Sequence, residues 1–504
     1  MTVRKKSLMN MGSAIVGQVL AVIIGFALPR LLITNFGSSV NGLLSSVNQI
    51  LAYLALFEAG VGTVAMQALF APVSKRDWAG VNGVLSATNR YYTRASTLYL
   101  AALVILAALY PLVVAVELPY LSVSLVILFC GLPSVISFRV QAKYVLFLRA
   151  DGKNYIVNNL TTLITVLVGA AKVILILLGF NVVWVMFASF LIHLIQSVYI
   201  IGYIRRRHPE LSADETPDYE SISQKNYMLV HQISNLVFQN TDVVILTAVM
   251  GLKVVSVYSI YKLVMTQLSN LLQIMHSSVD FVLGQTYQAD LALYTRRIDR
   301  LETYYSALSF AVYAVLNFLM FSFVKIYTSG VTDIVYADQW LVILFVLIEL
   351  LNIMRLPMLH TINYAGHFKK TSPQSVLESV LNLGISLLAV QRFGMYGVLV
   401  GTAVALLYRT NDIIIYSNTK LLRRSPAKTY LIHAMNIAMF LLLQWLFPRL
   451  FSAPDNYLSL VITGIQAGLI SAVLFLGMQT LVWRDNRAMV AGFAGRLGQR
   501  IKPR

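Results

Sequence analysis

Charge is scarce in this chain. Only 12% of its 504 residues are Asp, Glu, Lys or Arg, about half the share usual in a soluble globular domain, while 58% are hydrophobic. A surplus of that size cannot be hidden in a core, so lipid must solvate much of the surface. Cysteine is scarcer still: the single Cys130, set in an apolar run, excludes an intramolecular disulfide. No GxxxxGK[ST] run occurs, which excludes ATP binding through a phosphate loop of that type. The seven histidines show no metal-ligand spacing, and there is neither a nucleophile elbow nor a carboxylate pair in a hydrophilic loop. No catalytic residue, metal site or cofactor is expected, and the chain does not read as an enzyme. Acidic residues are few, 21 against 39 Lys and Arg, for a net charge of +18. In a soluble protein that balance would point to nucleic acid. Here the bases sit in short connections between apolar runs, so no nucleic-acid partner is expected.

What the chain has in abundance is apolar sequence. About 20 helical residues cross a hydrocarbon core of about 30 Å, and fourteen runs reach or approach that length: 8–33, 41–70, 97–116, 118–138, 156–178, 182–203, 227–250, 254–279, 304–324, 340–359, 371–390, 395–416, 430–447 and 457–482. The expected fold is all-α, a polytopic membrane protein of two related six-helix lobes (1–204 and 227–418) joined by a cytoplasmic linker (205–226). Two further spans (419–483) and a basic tail (484–504) follow. The first run is too long for a signal-peptide core and lacks a small-residue cleavage site, so it is kept as a span. In the tail, Val490, Phe493, Leu497 and Ile501 share one helical face, which fits an amphipathic helix on anionic lipid; an unstructured basic tail is the alternative. The acidic and basic linker reads as solvated.

Loop charge tests this map. If Arg4, Lys5 and Lys6 are cytoplasmic, alternate connections should be basic. They are: Lys75 to Arg94, Arg139 to Lys153, Arg205 to Lys225, Arg296 to Arg300, Arg355 to Lys370, Arg409 to Lys428, then the tail. Only Lys253, Lys325, Arg392 and Arg449 fall by outer connections, leaving Arg30, Lys172 and Lys262 inside spans. Both termini are therefore placed in the cytoplasm. The halves echo each other faintly: Phe36-Gly37 precedes Asn41-Gly42-Leu43, and Met250-Gly251 precedes Ser256-Val257-Tyr258. Gly397 and Gly401 fit a small-residue helix contact.

Polar groups inside spans are expensive and usually functional. Helical spacing lines up Asn158, Thr162, Thr165, Gly169 and Lys172 in the fifth span. The eighth carries Ser259, Lys262, Thr266, Ser269, Gln273, His276 and Asp280; the seventh His231, Asn235, Gln239 and Asp242; the eleventh Glu378, Asn382 and Ser386. Stripes this polar face other helices or a water-filled cavity, and four of them point to a cavity. Lys172 and Lys262, one in each half, are the groups suited to an anion; snorkelling to the headgroups is the competing account. Arg30 lies near the outer end of the first span, with headgroup contact as the alternative. Asp242 is expected to pair with a lysine or to take part in ion coupling. Glu58, followed by Gly60 and Gly62, has an ambiguous face.

The run Phe36-Gly37-Ser38-Ser39-Val40-Asn41-Gly42-Leu43, with Leu54-Ala55-Leu56-Phe57-Glu58-Ala59-Gly60-Val61-Gly62, resembles the start of bacterial polysaccharide-repeat flippases. These belong to the multidrug/oligosaccharidyl-lipid/polysaccharide (MOP) exporter superfamily. The architecture resembles that family over the whole chain, and Asp242 stands where such proteins often carry an acid. The resemblance implies movement of an undecaprenyl-diphosphate-linked oligosaccharide across the bacterial cytoplasmic membrane, by alternating access and without ATP. Polysaccharide polymerase and chain-length proteins would be partners. The lysines would meet the diphosphate, and the residues Arg30, Asn158, Thr165 and Gln273 would line the cavity. A lipid II flippase and a cation-coupled multidrug extruder of the same superfamily are the alternatives.

Overall fold

With no water in the hydrocarbon core, a crossing segment must satisfy its own backbone, and the apolar runs fold accordingly. The computed structural model is helical, with no strand among the described residues. It describes residues 3–57, 61–212, 215–220, 236 and 240–482, and their side chains except those of 3–19, 21, 57, 63, 274–278, 281, 368 and 369. Glu58, most of the seventh-span stripe and the basic tail thus lie outside the described residues. The helices are α1 (Val3–Leu54), α2 (Val61–Lys75), α3 (Trp78–Val113), α4 (Tyr120–Ile136), α5 (Ala142–Ala150), α6 (Asn154–Leu177), α7 (Val182–Arg207), α8 (Asn240–Met250), α9 (Leu252–Ala289), α10 (Leu291–Tyr327), α11 (Gln339–Tyr364), α12 (Phe368–Tyr416), α13 (Ala427–Leu450) and α14 (Tyr457–Val482).

Among the described residues, ten helical segments are long and apolar enough to cross a membrane. Two of them, in α1 and α12, each hold two of the runs read from the sequence, divided where Gly37 and Gly394 leave helical geometry. Gly37 takes φ 82° and ψ 170°, a region essentially closed to residues with a Cβ. α9 is not among the ten; its polar stripe dilutes the apolar signal that length alone would satisfy. Several helices outrun their apolar cores. α3 begins at Trp78 and α10 at Leu291, so Arg90, Arg94, Arg296 and Arg300 ride on helix rather than loop. Hydropathy reports where the bilayer is, not where the helix stops.

Two compact units emerge: Met1–Ser259 with Gly330–Ile334, and Ile260–Ser329 with Val335–Arg504. In the first, one apolar cluster gathers Leu32, Leu43 and Val47 of α1, Tyr99 and Leu103 of α3, Val126 of α4, and Ile176 and Val185 of α6 and α7. A second joins Leu69, Leu85, Phe147, Leu160 and Ile204 at the other depth. Connections expected on one face meet one another. The Ser38 N–H and hydroxyl donate to Asp333 at 2.9 and 2.7 Å, capping the helix that restarts after Gly37. Lys253 pairs with Glu117 at 2.9 Å. The Gly37 and Gly251 echo is spatial too: both glycines have φ near 80° (82° and 81°). Asn41 Nδ2 donates to Ser256 Oγ at 2.8 Å, and Gly42 lies against the Leu252 carbonyl.

At the opposite end of this unit the mid-chain linker is docked, not solvated. Asn82 Nδ2 donates to Glu215 at 2.9 Å and to the Glu210 carbonyl at 3.1 Å. Ser86 Oγ donates to the Glu215 carbonyl at 2.7 Å, and Asp218 N–H to the Gly83 carbonyl at 3.0 Å. Burial raises the Glu210 carboxyl, but its own backbone N–H, His208 and Lys153 outweigh that and hold it below the usual range.

In the second unit, Tyr261 OH donates to the Tyr336 carbonyl at 2.8 Å and accepts from Asp338 N–H at 2.9 Å at one end. Asp299 binds Arg424 and, at 2.5 Å, Lys428 at the other. The Gly397 and Gly401 contact forms within α12: a Cβ on either would strike Ala389 or Ser386 across the Gly394 turn, each at 2.4 Å.

Candidate functional site

In the first unit the fifth-span stripe lies on α6. A Cβ on its Gly169 would stand 2.8 Å from Ile24 of α1, so the stripe faces that helix. Ile24 with Gly169, and Leu32 with Ile176 in one cluster, show the two helices running in the same direction. Asn158 and Thr165 are half-buried, and Thr165 Oγ donates to its own helix at Thr161 O, 2.9 Å away. Lys172 is half-buried, with Cys130 of α4 as its titratable neighbour. Among the described residues it has no hydrogen bond or ion pair. Arg30, also half-buried on α1, lies about two to three residues further along the shared direction, on the order of 4 Å.

Asp242 is buried on α8 and accepts from the Tyr258 hydroxyl of α9 at 2.9 Å. It belongs to a ladder: Thr247 Oγ1 donates to Ser46 Oγ at 2.8 Å, Tyr110 donates to the same oxygen at 2.9 Å, and Tyr53 meets Thr241 at 3.0 Å. The acid is thus one rung in hydrogen bonding among α1, α3, α8 and α9.

In the second unit Lys262 is half-buried on α9 and faces a partner the sequence reading missed. Ser269 Oγ donates to Glu349 Oε2 of α11 at 2.6 Å and meets the Tyr313 hydroxyl at 2.8 Å. Lys262 and Arg355 are charged neighbours of that carboxylate. An acid in the middle of the run Leu344-Phe345-Val346-Leu347-Ile348-Glu349-Leu350-Leu351 is itself a signal, because hydrocarbon depth tolerates charge poorly. Gln273 is exposed, Asp280 binds His360 at 3.1 Å, and Ser259 is tied to Asn41 at 3.3 Å. The eleventh-span stripe is spent on packing. Glu378 binds Arg355 at 2.6 Å and Arg409 at 3.5 Å, Asn382 donates to Thr402 at 2.7 Å, and Ser386 to the Val398 carbonyl at 3.2 Å. Arg355 and Arg409, counted with the loop charges above, are helix residues whose guanidinium groups are consumed by acids; Arg409 is 3% exposed. Lys262 therefore lies in a charge-compensated network, whereas Lys172 has no ion pair among the described residues.

No group of three or more His, Cys, Asp or Glu suited to a metal gathers among the described residues. No family model matches the sequence, and no curated protein matches it. Solved structures do. One, the lipid II flippase MurJ in an inward closed conformation, aligns with TM-score 0.64 at 13% identity, covering 92% of this chain and 98% of that one. An inward-facing multidrug-resistance MATE transporter of the MOP superfamily aligns with TM-score 0.63 at 16% identity, over 80% and 94%. A MOP-superfamily transporter from Pyrococcus furiosus aligns with TM-score 0.55 at 16% identity, over 84% and 98%. The chain has the polytopic helical fold of MOP-superfamily transporters.

Proposed function

We propose that this protein is a flippase, moving an undecaprenyl-diphosphate-linked oligosaccharide repeat unit across the bacterial cytoplasmic membrane for cell-surface polysaccharide synthesis. The observation that carries the reading is Lys172, a cation at membrane depth with no counter-charge among the described residues. An unpaired charge there costs several kcal/mol, and an anionic cargo removes that cost on binding. The Asn158, Thr162 and Thr165 stripe beside it suits sugar hydroxyls, and Arg30 lies within about one helical turn of its depth. A multidrug extruder of cationic compounds is disfavoured, since Lys172 would repel the cargo. A lipid II flippase is the second reading: it shares the diphosphate chemistry, and the fold likeness to MurJ spans nearly all of that chain. In this reading both termini lie in the cytoplasm, the tail against anionic lipid, with polymerase and chain-length proteins as partners.

Transport by alternating access needs no nucleotide if cargo binds two conformations unequally. Lys172→Ala should abolish surface polymer at matched membrane levels, while Lys172→Arg keeps part of it because charge survives and geometry changes. Normal polymer in Lys172→Ala overturns the proposal. Rescue of a host deprived of its lipid II flippase, with no effect on polymer, decides for the second reading.

A further inference from the structure

α10 packs against both α13 and α14, and the layer between them is polar where lipid-depth packing favours apolar contact. On α10, Glu302 and Ser306 are 0% exposed; on α13, Thr429 and Asn436 are 0% and His433 1%; on α14, Ser471 and Gln479 are 0%. Part of this layer is satisfied. Thr429 Oγ1 donates to Glu302 Oε2 at 3.2 Å, and Gln479 Nε2 to Asn436 Oδ1 at 2.9 Å. Part is not: Glu302 Oε1, Ser306 Oγ, Asn436 Nδ2 and Ser471 Oγ have no hydrogen-bond partner, and the ring nitrogens of His433 make none of good geometry, with the Met354 backbone beside them. His433 Nε2 stands 3.9 Å from Glu302 Oε1, too far for a hydrogen bond but within reach after a small rotamer change.

Buried polar atoms are nearly always paired, so a facing pair of unpaired ones asks for a ligand. The ligand that fits is the smallest. Two ionisable groups offer too few donors for a divalent ion, whereas one proton completes the pair as acid with imidazole or carboxylate with imidazolium. We propose that Glu302 and His433 form a proton-binding site between α10, α13 and α14 that couples proton uptake to the transport cycle.

Without the proton, the pair carries one buried negative charge; with it, the pair is neutral overall. The proton leaves a hydronium ion: its O–H bond breaks as an O–H bond on Glu302 or an N–H bond on His433 forms, and a water molecule is released. Its entry is marked one turn nearer the helix starts, where Asp299 holds Arg424 and Lys428 with side chains 16–36% exposed. Those three are the charged groups that act on Glu302. α11 presents the backbone of Met354 to the ring, and on α14 the Gln479 amide is held by Asn436, one turn along α13 from His433. Because a lone buried carboxylate is costly, the two protonation states favour different packing of α13 and α14 on α10. That is a differential interaction able to shift a conformational equilibrium.

The coupling half of this inference rests on the flippase reading, whereas the site does not, and the test separates them. The purified chain in lipid nanodiscs is titrated with pH and followed by infrared difference spectroscopy, with protons as the only ligand. A carboxylic-acid C=O band should titrate in the wild type and vanish in Glu302→Gln. In His433→Gln it should titrate at a pH displaced by about one unit or more. An unchanged band in Glu302→Gln, or an unmoved midpoint in His433→Gln, overturns the site. Polymer export should fall in Glu302→Gln at matched expression; full export overturns the coupling even if the band titrates. Normal polymer in Lys172→Ala with an intact infrared titration would sink the flippase reading and leave the proton site standing.

Discussion

Replacing Gly42 with alanine would put a methyl carbon 1.8 Å from the carbonyl oxygen of Leu252, 2.6 Å from its carbon and 3.1 Å from its Cα. Carbon and oxygen in contact need about 3.3 Å, so the second segment of α1 and the start of α9 must separate by about 1.5 Å. No rotamer relieves this, because every atom struck is backbone. The separation also pulls Asn41 Nδ2 off Ser256 Oγ, now at 2.8 Å with both residues buried. Overpacking costs roughly 1–3 kcal/mol and an orphaned buried polar group roughly 1–3 kcal/mol, so a loss of about 2–6 kcal/mol is expected. Thermal unfolding of purified protein in one detergent should show the midpoint falling by about 2–6 °C. The control is Gly468→Ala on α14, where nothing lies within 4 Å of the added carbon and helix propensity improves by up to about 1 kcal/mol. Equal midpoints for the two variants would refute the close crossing of α1 and α9.

The cap on the helix after Gly37 should depend on pH. Burial raises the Asp333 carboxyl, but the Ser38 hydroxyl, the Ser38 N–H and Lys253 outweigh it and hold the group below the usual carboxylate range. Its stabilisation is present above the unfolded value of about 4 and is lost as pH falls through the lower folded value. Asp333→Asn should therefore be less stable than wild type at neutral pH, with the difference shrinking below about pH 4; a gap that widens in acid contradicts this. Arg409→Met strands Asp412 and leaves Glu378 to Arg355 alone, and should cost about 3–5 kcal/mol, read as loss of folded protein from the membrane; wild-type yield would show the network to be dispensable. With Cys130 replaced, single cysteines at the exposed Asn35, Ser329 and Ala453 should label from outside, and at the exposed Ser74 and Ser425 only after permeabilisation. A cytoplasmic signal from Ser329 overturns the map of the second half.

The sequence by itself determined the class, the crossings and which connections share a face. Hydropathy and loop charge are local quantities, and the bilayer reads them segment by segment. That is why Ser38 and Asp333, 295 residues apart, meet at one end, as the span count requires. The Gly397 and Gly401 contact was legible for the same reason, since small residues one turn apart announce a close neighbour. Helical spacing also showed which polar side chains share a face, as in Glu378, Asn382 and Ser386. What covers that face was decided only by the tertiary structure. The eleventh-span stripe is used up by Arg355, Arg409 and Thr402, and Lys262 is compensated by Glu349, brought in from 80 residues beyond Ser269. The equally polar stripe on α6 leaves Lys172 without a counter-charge among the described residues. Arg355 and Arg409 look like loop charges because a guanidinium near a helix end satisfies the same statistics whether it meets water or a buried acid. Glu302 and His433, 131 positions apart on helices of low overall polarity, show no shared pattern in one dimension. Their pairing exists because α13 happens to pack on α10, a contact whose partners a periodicity cannot name.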